Sequence, residues 1–100
     1  MNAFDAAQRW TPLHFAARDQ KPEVVRVILK NGATVDPVDV FGITPLWRSI
    51  MSSQNDLSSI KELLDHGADY NKKSVDGISP LDLARTAGLN DVVALLESRR

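Results

Sequence analysis

There is no cysteine in these 100 residues, which excludes disulfides and thiolate chemistry and gives no sign of an oxidising compartment. There is no surplus of either charge: 12 Lys plus Arg against 13 Asp plus Glu leave a net charge of −1. Nucleic acid and anionic membranes both demand a basic field, so neither is the expected partner. Apolar runs reach only a few residues, far short of the roughly 20 that span a bilayer. The start, Met1-Asn2-Ala3-Phe4-Asp5, lacks the basic-then-apolar pattern of a signal peptide, and a cytoplasmic chain is expected. Two histidines with no cysteine and no carboxylate cluster make no metal set. No serine sits in a Gly-x-Ser-x-Gly context and no glycine-rich phosphate loop exists, so neither catalysis nor a cofactor is expected. What remains is one domain's length of chain, able to bury roughly 60–70 % of its unfolded surface.

What is present is repetition. Thr11-Pro12-Leu13, Thr44-Pro45-Leu46 and Ser79-Pro80-Leu81 start at positions 11, 44 and 79, intervals of 33 and 35. Gly32-Ala33 and Gly67-Ala68 keep the same step. A residue before proline is driven from helical to extended backbone, the state an N-cap requires. Its hydroxyl can then accept a first-turn N–H, and proline suits the first helical position because its missing N–H would have had no partner. Ser79 and Asp82 also have capping-box spacing. Three helix starts at one period mean three like units, stacked as a helical array.

In chain order, Met1 to Trp10 precedes the first start. Two residues before each Thr or Ser stand Arg9, Gly42 and Gly77. The glycines predict tight turns at positive φ, whereas Arg9 argues against one, so the N-terminal segment is expected to cover the open end of the stack. The first helix runs from Thr11 to about Asp19, with Ala16 and Ala17 allowing close approach. A second starts at Lys21-Pro22, with Val24, Val25, Ile28 and Leu29 as its inward face and Arg26 and Lys30 outward. Gly32 ends it, and an extended loop with a turn follows. The second unit has two extra residues within Ser52 to Asp56, where Asn55 or Asp56 can cap the next helix. That helix turns Leu57, Ile60, Leu63 and Leu64 inward and Lys61, Glu62 and Asp65 outward. The third unit buries Leu81, Leu83 and Ala84, then Val92, Val93, Leu95 and Leu96 on a helix opened by Asn90 or Asp91.

The run Thr11-Pro12-Leu13-His14-Phe15-Ala16-Ala17, with Ile28-Leu29-Lys30-Asn31-Gly32-Ala33, resembles an ankyrin repeat. So do Asp39-Val40-Phe41-Gly42-Ile43-Thr44-Pro45-Leu46 with Leu63-Leu64-Asp65-His66-Gly67-Ala68, and Asp76-Gly77-Ile78-Ser79-Pro80-Leu81 with Asp91-Val92-Val93-Ala94-Leu95-Leu96. The resemblance covers about residues 11 to 97. It implies an all-α solenoid of helix-turn-helix units joined by β-hairpin-like loops: one domain over residues 1–100, a segment 1–10, and repeats of about 11–38, 39–73 and 74–100. The chain departs from the pattern at Trp47 and Asp82 (in place of the histidine), Ser49-Ile50 (paired alanines) and Gln20 (glycine). His14 is expected to bond neighbouring backbone or the Thr11 hydroxyl, and His66 to face solvent at a helix end.

Bulky apolar residues at loop tips suggest contact rather than core. Val40, Phe41 and Ile43 flank Gly42; Val75, Asp76 and Ile78 flank Gly77; Trp10 matches Ile43 in register. The resemblance adds the exposed side of the first helices: Arg18, Asp19, Met51, Ser52 and Thr86. It implies binding of another protein through tips and groove, with Trp47 read as packing. The similarity of Phe41 to Ile50 to small bacterial ankyrin proteins extends this to an immunity-type inhibitor of a toxin or enzyme. The alternatives are a weak homodimer, with Val40 and Phe41 pairing with a copy, and, less favoured, a small enzyme with a deep pocket.

Overall fold

Every Thr-Pro or Ser-Pro pair starts a helix, and the cap geometry shows why. In the computed structural model, which describes residues 8–53 and 56–99, Thr11, Thr44 and Ser79 are extended, with ψ of 166°, 164° and 166°. Each hydroxyl accepts the backbone N–H three residues on, from His14, Trp47 and Asp82 at 3.3, 3.3 and 3.1 Å. Among the described residues there are six helices: α1 (Pro12–Arg18), α2 (Pro22–Lys30), α3 (Pro45–Met51), α4 (Ser58–Asp65), α5 (Pro80–Thr86) and α6 (Asn90–Glu97). No strand occurs among those residues; the loops between units are turns. The expected Ser79–Asp82 capping box is present, and the return bond reaches Asp82 Oδ2 from Ser79 N–H at 3.1 Å. Asp56 Oδ1 accepts the Ser58 N–H at 3.0 Å and so caps α4; Asn55, the other candidate, lies outside the described residues.

The helix pairs stack, and one core runs through all three units, from Leu13, Ala17 and Val25 through Leu46, Ile50, Ile60 and Leu63 to Ala84, Val92 and Leu96. Ala16 and Ala17 are buried, as expected where α3 packs on α1. Leu57, Leu83, Val93 and Leu95 are only half-buried at its margin. Val24 departs from expectation: it is 46 % exposed, about a quarter-turn round α2 from the buried Val25. The apolar arc of the helix is wider than the part that meets the core, and Val24 and Val27 lie on its exposed edge.

His14 joins the first unit to the second. Its Nδ1 accepts the Thr11 N–H at 3.1 Å, which leaves the proton on Nε2, and Nε2 donates to the Ile43 carbonyl at 2.8 Å. The tautomer is therefore fixed by the fold. Burial lowers the pKa of His14 from its ordinary 6.5, with Arg48 acting the same way; the Ile43 carbonyl and Asp39 oppose it without prevailing.

The loop tips form a second seam. Val40 N–H donates to the Gln8 carbonyl and Val75 N–H to the Phe41 carbonyl, both at 3.0 Å. Within each tip, Asp39 N–H donates to Ile43 O (3.1 Å) and Ser74 N–H to Ile78 O (2.9 Å). Contrary to expectation, Arg9 takes the same left-handed conformation as Gly42 and Gly77: φ is 63°, 73° and 79°. Its carbonyl neighbour Gln8 must present an acceptor to Val40, and the ladder imposes the turn despite the Cβ. Gln20 is likewise left-handed at φ 57°, and its Nε2 donates to the Ser49 carbonyl at 3.0 Å, so its side chain spans to the next unit.

Two outcomes follow. Because the folded pKa of His14 lies below the unfolded one, its contribution is complete above pH 6.5 and is lost as pH falls through that value. The thermal midpoint should drop between pH 7.5 and 5.5, and a His14→Gln variant should show a shallower slope; equal slopes would refute the assignment. At Gly42 an added Cβ would lie 3.0 Å from the Val75 nitrogen, whereas at Gly77 it would meet nothing within 4 Å. Urea titration should show Gly77→Ala costing about 1 kcal/mol for the left-handed backbone alone. Gly42→Ala should cost at least about 1 kcal/mol more, since the seam must also shift.

Candidate functional site: loop tips and first helices

The tip of the second unit is held from below by one carboxylate. Asp39 is buried; its Oδ1 accepts the N–H of Phe41 at 2.8 Å and of Ile43 at 3.0 Å, and Oδ2 takes Arg48 Nη2 at 3.0 Å. Burial alone would raise the Asp39 pKa, but Arg48 and the two N–H donors overcome it and hold the carboxyl below its ordinary value. An aspartate folding back onto backbone two residues on is the side-chain mimic of a turn. In the third unit Ser74 does this more weakly, its Oγ accepting Asp76 N–H at 3.3 Å.

With the backbone so fixed, the tip side chains project outward. Val40 is 41 % exposed, Phe41 50 %, Val75 69 % and Ile78 40 %; Asp76 is exposed and Ile43 half-buried. On the first helices, Met51 is 61 % exposed, Arg18, Asp19 and Thr86 are exposed, and Ser52 is half-buried with its hydroxyl donating to the Arg48 carbonyl at 2.8 Å. Trp47 is buried, and its indole N–H donates to Met51 Sδ at 3.2 Å, which makes it packing, as expected. Met51 is thus braced from beneath.

Trp10 does more than match Ile43. Its ring stacks on His14 at 5.7 Å, packs at 57° on Phe15 at 4.7 Å, and lies under two guanidinium groups, Arg48 at 4.7 Å and Arg18 at 5.3 Å. Arg18 also covers Phe15 at 5.1 Å and pairs with Asp19 at 2.9 Å. Cations over aromatic faces are held by the ring quadrupole. A hollow of about 230 Å³ opens among Gln8, Trp10, Phe15 and Arg18. The structure therefore brings Trp10, Arg18 and Asp19 together and adds Phe15 and Arg48, which the sequence reading passed over. Phe15 and Arg48 hold the same place in their units, four residues after Thr11 and Thr44, and aligning the repeats would have flagged both. Val75, Asp76 and Ile78 sit on the neighbouring tip, and Thr86 lies at the end of α5, apart from the aromatic cluster.

Among the described residues no group of three or more His, Asp or Glu is placed to hold a metal ion. His66 is exposed at the end of α4, its Nδ1 donating to the Glu62 carbonyl at 2.9 Å. Glu62, expected on the solvated face, instead pairs across units with Arg26 at 2.8 Å, and Asp65 with Arg99 at 2.6 Å. Among the described residues no helix is long and apolar enough to cross a membrane.

A tandem of Pro-started helix pairs with stacked tips defines a repeat solenoid. The family model for ankyrin repeats, in three copies, matches residues 13–99, and the chain belongs to the ankyrin-repeat family. It is similar to an ankyrin repeat protein of Rickettsia bellii, 42 % identical over 82 residues, which are 78 % of this chain and 34 % of that protein. It is 40 % identical over 76 residues to a BTB/POZ domain and ankyrin repeat-containing protein of Oryza sativa subsp. japonica, covering 74 % of this chain and 15 % of that one. To the B-cell lymphoma 3 protein homolog of Mus musculus it is 36 % identical over 87 residues, 86 % of this chain and 19 % of the relative. The chain thus spans about a third or less of the length of these relatives. Ankyrin repeats generally mediate protein–protein interaction.

The Asp39 anchor gives a specific expectation. Asp39→Ala should speed amide exchange at Phe41 and Ile43 by at least about tenfold and cost about 2 kcal/mol, because Arg48 is left with a desolvated charge. Asp39→Ser should recover part of the protection, as Ser74 does in the third unit. Unchanged exchange in the alanine variant would show that the tip holds itself.

Proposed function

We propose that this chain binds a folded protein through the tips and first helices, using Phe41, Val40, Ile43, Met51, Val75 and Ile78 as apolar anchors. The carrying observation is that Phe41 and Met51 are half or more exposed while the groups beneath them, Asp39 and Trp47, are buried and fully engaged. A rigid scaffold presenting large apolar side chains loses little entropy on association, and that is where interface energy concentrates. Trp10, Arg18 and Arg48 supply a cationic, aromatic border at one end, and Asp76, Ser52, Thr86 and Asp19 a polar one, which would orient the partner. The concave surface of a repeat stack suits this because its side chains can vary without disturbing the core.

The finer reading is an inhibitor of the immunity type, which occupies a toxin or enzyme and blocks it. It rests on the resemblance of the Phe41 to Ile50 run to small bacterial ankyrin proteins. Catalysis is not part of this reading: the exposed side chains named are anchors and charges, without a nucleophile–base pair.

The test is capture from a lysate of the source cells by the wild-type chain, by a Phe41→Glu, Met51→Glu variant, and by Lys61→Glu on exposed α4 as control. A protein held by wild type and control should be lost by the tip variant, with affinity at least about tenfold weaker. Equal capture by all three would overturn the assignment of the surface. For the immunity reading, loss of the gene should be lethal only while the captured toxin is expressed; indifference would sink it.

A further inference from the structure

The two ends of the stack differ in kind. Each inner junction buries the same positions of the following unit: Pro45 and Pro80, Ser59 and Val92, Leu63 and Leu96 are all buried against the unit before. In the first unit those positions hold Pro12, Val24 and Ile28; Pro12 is exposed, Val24 is 46 % exposed and Ile28 half-buried. Ala33, the counterpart of buried Ala68, is exposed as well, and an apolar hollow of about 260 Å³ lies among Pro12, Leu13, Ile28, Ala33 and Pro37. Val27 adds 57 % exposure beside Val24. The opposite end is closed by charge. Where the first and second units put Ala17 or Ile50 and Leu29 or Leu64, the third unit has Arg85 and Glu97, which form an ion pair. A repeat array needs such a polar outer face to end. Among the described residues, the corresponding positions at α2 carry no such pair.

We propose that the face formed by Val24, Val27 and Ile28 of α2 is a self-association surface that takes the same face of a second copy, related by a two-fold axis. Two features select this occupant. The polar Arg85–Glu97 end cannot bury the apolar end of another copy, so head-to-tail growth is disfavoured and a closed, isologous pair is the remaining arrangement for a copy. The exposed charges beside the stripe are self-complementary. Glu23 and Lys30 flank Val24, Val27 and Ile28 on α2, and both the charge pair and the apolar stripe are centred near Val27. Antiparallel packing of two α2 helices about that centre sets Glu23 against the partner copy's Lys30 on each side. Arg26 does not disturb this, being held by Glu62 of its own chain. The surface is distinct from the tips, so binding of a partner there and pairing here can be tested apart.

Sedimentation equilibrium of the full chain, from micromolar to about 1 mM, tests this. Wild type should show a monomer–dimer equilibrium. Glu23→Lys and Lys30→Glu should each weaken it by about tenfold, and the double reversal should restore it, since the pairs are re-formed with signs exchanged. Val24→Glu with Val27→Glu should abolish it while far-ultraviolet circular dichroism stays unchanged, both side chains being exposed. A monomer at every concentration would overturn the proposal. So would a dimer indifferent to all four substitutions.

Discussion

No unit of this protein can bury its own helix starts, and this constraint organises the rest. Thr44 and Pro45, and Ser79 and Pro80, are buried against the unit before them. A helix N-terminus carries free N–H groups that water would ordinarily satisfy. Buried, each must find a partner or be absent. Proline removes one, the Thr or Ser hydroxyl takes another, and in the third unit Leu81 N–H donates to the Tyr70 carbonyl of the preceding loop at 3.1 Å. Thr-Pro is therefore the chemistry that lets a helix begin inside a protein, and its recurrence marks every junction.

The residue two places after that proline shows how one position serves three purposes. His14 bonds its own N-cap on one nitrogen and the next unit's backbone on the other, so it belongs to a junction. Trp47 fills the same place by bulk and braces Met51. Asp82, in the third unit, turns back to cap Ser79. The departures from the repeating pattern thus follow position in the stack. Ser49 is the exception: its buried hydroxyl has no hydrogen-bond partner, and nothing in its surroundings explains the loss of the alanine.

The helices were legible because proline and glycine punctuate them locally. What was not legible depended on contacts between units. Arg9 and Gln20 are left-handed although neither is glycine; a tip ladder compensates one, and a side-chain bond to Ser49 the other, both invisible to local propensity. Val24 was assigned inward because its helix has apolar residues all along one period. Periodicity locates a face but cannot say whether anything stands opposite it. Phe15 and Arg48 were missed for a related reason: they meet around Trp10 through alignment across repeats, and a reading along each helix separates them.

The same distinction separates the tips from the open end as surfaces. At the tips, Phe41 and Val40 stand out although their backbone is held, by Asp39 and by the Gln8 and Val75 bonds. Their exposure is a property of a finished structure, and changing their side chains leaves the seam intact. At α2, Val24 is exposed and Ile28 half-buried, whereas the equivalent Val92 and Leu96 of the third unit are buried. The tips are thus free to vary with a partner, whereas the open end is bound to the geometry of stacking. Glu23 and Lys30, placed on either side of Val27 along α2, make a second copy a fitting occupant of that surface.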